Sequence, residues 1–119
     1  MTVEPGITID KLQTNGKRVT VRLTNLTGEN KKIVDITIEW PSSNADLKKV
    51  RLDNPTVWSG SLPPPSTFID DTTVGWIENG GTLLPGEAIL RFDFANKVAE
   101  TGHTIRVNFT DGTFLDIFV

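Results

Sequence analysis

Hydrophobic and polar residues alternate with a period of two along most of this chain. Val19, Val21 and Leu23 take every second position between Lys17 and Thr24, with Arg18, Thr20 and Arg22 between them. That is the signature of a strand with one buried face. Val34, Ile36, Ile38 and Trp40 repeat it against Asp35, Thr37 and Glu39, and Pro41 ends the run because proline has no N–H for a ladder. Residues 47–52 and 56–58 flank Asp53-Asn54-Pro55, which predicts a short hairpin about a tight turn. Ala88, Leu90, Phe92 and Phe94 alternate with Ile89, Arg91 and Asp93, and Ile105, Val107 and Phe109 continue in the same style. Asp111-Gly112 then predicts a two-residue, type I′ connection into residues 114–119. An opening strand is predicted at residues 7–12, with Asn15-Gly16 turning into its successor.

The total is seven or eight short strands separated by turn chemistry. The one helical stretch, residues 96–101, is too short to matter. This pattern predicts an all-β fold, an antiparallel β-sandwich that occupies residues 1–119 as a single domain. Residues 59–85 form the long irregular stretch, with Pro63-Pro64-Pro65 read as a stiff link between the sheets.

A chain of 119 residues is long enough for one real core. Its formal net charge of −3 argues against nucleic acid or an anionic membrane as a general partner. No apolar run approaches the roughly 18–20 residues needed to cross a bilayer, so direct membrane insertion is not expected. The first residues lack a basic n-region and an apolar h-region, so an exported parent would carry its signal ahead of this segment. With no cysteine, disulfides and thiolate chemistry are excluded.

His103, the only histidine, has no Ser/His/Asp order or second histidine around it and reads as a solvated loop-end residue. Zinc is disfavoured for the same reason. Asp70 and Asp71, with Glu78 and Asn79, offer oxygen ligands, but their spacing fits no calcium loop and they read as turn formers. No carboxylate pair stands out for glycoside hydrolysis, and Gly80-Gly81 does not open a helix as a phosphate loop would. Neither an enzyme nor a cofactor is expected. The sequons at Asn25 and Asn108 read as chance triplets in a threonine-rich β-protein.

Trp40, Trp58 and Trp76 stand eighteen residues apart in a chain without tyrosine. Trp40 is in phase with Ile36 and Ile38 and is assigned to the core. At Trp58 the neighbouring Val57 competes for the inward position, so Val57 is expected inside and Trp58 half-covered by the proline segment. Trp76, in Val74-Gly75-Trp76-Ile77, has no clear register.

The segments Val19-Thr20-Val21-Arg22-Leu23-Thr24-Asn25, Ile36-Thr37-Ile38-Glu39-Trp40-Pro41, Val57-Trp58-Ser59-Gly60, Gly75-Trp76 and Leu84-Pro85-Gly86-Glu87 through Phe94 together carry a resemblance. The chain resembles immunoglobulin-like β-sandwich domains of bacterial and archaeal cell-surface or exported proteins. The resemblance implies an extracellular or cell-surface location and a non-catalytic module of a longer chain, acting as a spacer or as an adhesion or interaction domain. Its partners would be neighbouring domains of the parent chain and a protein or polysaccharide ligand. The alternative is a carbohydrate-binding module that uses Trp76 and Trp58 as sugar-stacking residues.

Overall fold

The computed structural model describes residues 2–3, 6–53, 55–77 and 81–119, the first two by backbone alone. Among them run eleven strands: β1 (Thr2–Val3), β2 (Ile7–Asn15), β3 (Arg18–Asn25), β4 (Lys31–Glu39), β5 (Leu47–Leu52), β6 (Thr56–Leu62), β7 (Ser66–Asp70), β8 (Thr82–Leu83), β9 (Gly86–Phe94), β10 (Thr104–Phe109) and β11 (Thr113–Phe118). One sheet has the order β1-β11-β10-β4-β7, with β8 also pairing β4, and the other has the order β2-β3-β9-β5-β6. All pairings are antiparallel except the two-residue pairing of β1 with β11. The architecture is an antiparallel β-sandwich. The number of segments exceeds seven or eight because β1 and β8 are two-residue pieces and β7 lies inside the stretch read as irregular.

Alternation decides which residues meet between the sheets. Val19, Val21 and Leu23 of β3, Ala88, Leu90, Phe92 and Phe94 of β9, and Val50 and Leu52 of β5 face Ile36 and Ile38 of β4, Ile105 and Val107 of β10, and Leu115 and Ile117 of β11 in one continuous core. Each such aliphatic side chain contributes roughly 1.5–3 kcal/mol on burial. Trp40 belongs to this core, 5.5 Å from Phe94 between ring centroids, and donates its indole N–H to the Ala45 carbonyl at 2.8 Å. The link Pro63–Pro65 carries the chain from β6 in one sheet to β7 in the other, the role its stiffness suggests.

The structure departs from the sequence pattern in β4 and in the connection from β10 to β11. Asn108 pairs with Asp35 and Phe109 with Ile33, so Val34 is an extra residue without a partner on β10. The bulge turns Ile33 inward and leaves Val34 exposed, correcting its assignment to the buried face. The connection from β10 to β11 spans Thr110, Asp111 and Gly112, three residues rather than two, with Gly112 at φ +87°. A three-residue loop that ends on a left-handed glycine is the next commonest hairpin geometry.

Candidate functional site

Trp58 departs from the expected arrangement. Both Val57 and Trp58 are buried, the indole to 1% exposure. A bulge in β6 allows this: Val50 pairs with Trp58 and Arg51 with Thr56, so Val57 is extra and two adjacent side chains turn toward the core. The indole lies over Gly60, where a Cβ would stand 2.7 Å from the ring, and its N–H donates to the Val74 carbonyl at 2.9 Å. Trp58 therefore is not half-covered by prolines, and its ring has no surface left on which a sugar can stack.

Trp76 is placed by the same contact. The segment after β7 crosses to the other sheet and joins the free edge of β6 through a bridge between Trp58 and Trp76. Ser59 N–H donates to Gly75 carbonyl at 3.1 Å and Ile77 N–H to Val57 carbonyl at 2.8 Å. The Trp76 ring packs half-buried against the core, while neighbouring Val74 is 94% exposed. Of the two proposed stacking residues, one is enclosed and the other shows part of one ring. Near this segment, Asp70 accepts from the hydroxyl and N–H of Thr72, which hold its carboxyl below the usual carboxylate range. Its turn-forming role is plain; Glu78 and Asn79 lie outside the described residues.

His103 is buried, not solvated. Its main chain exchanges hydrogen bonds with Val119 at 2.9 and 3.0 Å, drawing the ring under the C-terminal residue. There Nε2 lies 2.8 Å from the Asn44 amide, the ring centroid sits 6.0 Å from that of Phe94, and Nδ1 has no hydrogen-bond partner. Burial pushes its pKa below the ordinary imidazole value, with the Val119 main chain opposing in part. The sequons are also structural: Asn25 is buried and ties Glu29 and Leu83 carbonyls together, and Asn108 donates to Asp35.

What remains open to partners is the two broad faces. On the β10-β4-β7 side, register places Phe68, Thr37, Arg106 and Asp116 in one row and Ser66, Glu39, Thr104 and Phe118 in the next. A shallow depression of about 420 Å³ runs between Thr37, Glu39, Thr104, Arg106, Asp116 and Phe118. Arg106 grips Asp116 with two hydrogen bonds, 2.6 and 2.8 Å, and stacks 4.1 Å above the Phe114 ring. This pairing raises the guanidinium pKa and lowers that of the carboxyl. Phe68 and Phe118, 54% and 65% exposed, flank the depression.

The opposite face has a different character. Across β2, β3, β9, β5 and β6 the rows read Lys11, Arg22, Ile89; then Gln13, Thr20, Arg91, Arg51, Thr56; then Asn15, Arg18, Asp93, Lys49, Ser59. Of the chain's 12 lysines and arginines, six stand in these rows. Asp93 is shared by Arg18 at 2.6 Å and Arg51 at 3.9 Å. The outward positions of each strand read in isolation as a solvated face. Only the strand order, which brings β3, β9 and β5 side by side, reveals that their cations converge.

No protein-family model matches the chain, and no curated protein aligns with it significantly.

Proposed function

We propose that this chain is a non-catalytic β-sandwich module of a larger exported or cell-surface protein, and that it acts through its broad faces as an adhesion or interaction domain. The observation that carries the reading is the sorting of exposed chemistry. One face collects arginine and lysine, and the other sets Phe68 and Phe118 beside Glu39, Asp116 and Arg106. Broad faces of this kind suit recognition of extended partners better than enclosure of a small substrate, for which deep and largely apolar pockets are the rule. The immunoglobulin-like assignment is part of the proposal. It is supported by the pairing of β3 with β9 in one sheet, and of β4 with β10 and β10 with β11 in the other.

An antibody raised against the isolated domain tests the location. Labelling of intact, unpermeabilised source cells supports it, and labelling only after permeabilisation refutes it. The carbohydrate-binding alternative through the tryptophans loses Trp58 to burial and rests on Trp76 alone. Glycan binding monitored by tryptophan fluorescence that disappears in Trp76→Ala would restore it.

A further inference from the structure

The cation-rich face points to a specific ligand. We propose that the outer face of the β2-β3-β9-β5-β6 sheet is a docking surface for a carboxylate-bearing polysaccharide, a chain of uronic acid type. The inference rests on the interaction-module reading and supplies its partner.

The geometry begins with strand spacing. Neighbouring strands lie about 4.8 Å apart, and same-face residues along one strand about 7 Å apart. Arg18, Arg22, Arg51 and Arg91, with Lys11 and Lys49, thus form a two-dimensional array of cations across four strands. Four of the six are arginines, whose planar forks bind carboxylates with two parallel hydrogen bonds. Arg51 is oriented by Asp93, whose carboxylate lies 3.9 Å from its Nε. An open, polar depression of about 370 Å³ beside Arg18 and Asp93 is bounded by Gln13, Asn15, Lys17 and Thr20.

Charge balance sets the kind of polyanion. The face also carries Asp93 in its middle and Asp10 and Glu87 at one end, where Asp10 accepts from Thr8 and Thr24. A polymer with one charge per phosphate at close spacing meets these carboxylates and the net −3 of the chain. A polymer with one carboxylate per sugar can place its charges on the arginines and its hydroxyls on the neutral side chains between them. Nothing in the rows supplies the aromatic platform that single-stranded nucleic acid stacks on. Ile89 is their one large apolar side chain, whereas protein interfaces anchor on buried aromatic and aliphatic clusters.

The test titrates the whole chain with polygalacturonate, with neutral dextran of similar length and with a short single-stranded DNA, at two salt concentrations. The expected result is binding to polygalacturonate that weakens with salt, exceeds binding to DNA, and is absent for dextran. The paired change Arg51→Gln and Arg91→Gln is expected to weaken it by about tenfold or more, as loss of charge-assisted pairs does. Lys11→Gln with Arg22→Gln, both exposed positions, gives the same direction without touching partly buried groups. Lys32→Gln, an exposed cation on β4 of the other sheet, leaves binding unchanged. Unaltered affinity in both cation-face variants, equal binding of dextran, or tighter binding of DNA overturns the proposal. Failure to bind any of the three polymers overturns it too, while surface labelling of intact cells then still upholds the module reading.

Discussion

Trp58 donates its indole N–H to the carbonyl of Val74 at 2.9 Å, and through that bond a β6 side chain holds the segment that follows β7. The contact requires glycine at position 75. A Cβ there would stand 1.9 Å from the Ser59 carbonyl oxygen, and the residue has φ of +100°. Gly75→Ala is therefore expected to destabilise the fold by at least about 1–3 kcal/mol from backbone conformation alone, the steric clash adding to this. Chemical denaturation measures it, and a midpoint equal to that of the parent protein would contradict the geometry.

The three tryptophans differ in reach of solvent. Trp40 and Trp58 are buried, whereas Trp76 is half-buried. Acrylamide is expected to quench one accessible and two shielded populations in the native protein. Trp76→Phe removes most of the accessible component, and Trp58→Phe leaves it in place. Equal quenching of all three rings would rule out the placement of Trp58.

His103 makes stability depend on pH near neutrality. Its folded pKa lies below the ordinary value of 6.5 because burial disfavours the imidazolium. Below that value the unfolded chain takes up a proton that the folded chain refuses. The contribution is thus complete above about pH 6.5 and is lost as pH falls toward the folded pKa, where it levels off. His103→Gln is expected to flatten the fall of the denaturation midpoint below about pH 6.5, whatever its effect on absolute stability. A slope that persists in the variant would assign the dependence to other groups.

Asp111 works at more acid pH. It accepts from the Lys31 ammonium, then from the Thr113 hydroxyl and N–H, and these contacts hold its carboxyl far below the usual carboxylate range. Since the folded value is depressed, the contribution is present above the unfolded carboxylate value, about 3.9, and is lost as pH falls below it. Asp111→Asn is expected to make acid unfolding shallower between about pH 4 and 2, leaving the His103 dependence untouched. Calorimetry at stepped pH separates the two.

The sandwich was readable from alternation because burial of one face per strand imposes a period of two, as in Val19-Val21-Leu23 and Ala88 to Phe94. The misplacements share a cause. Val34 and Trp58 sit at bulges, where an extra residue breaks the period, and nothing in the local composition marks the break. The burial of His103 comes from Val119 and Asn44, partners outside its own segment that a local pattern does not report. The cation array is hidden in the sequence for a related reason. Arg18, Arg91 and Arg51 are brought together by strand order alone, which turn chemistry does not specify.

The two-residue pairing of β1 with β11 is the one parallel contact in the described structure. The two strands point the same way, one close to the start of the chain and the other close to its end. Tension applied through the two ends therefore drags them past each other along their length. The bonds at Thr2 with Thr113 and Val3 with Phe114 are strained together, not peeled apart one by one. In a longer chain under pull, the load would fall first on this small clasp, ahead of the hairpins behind it.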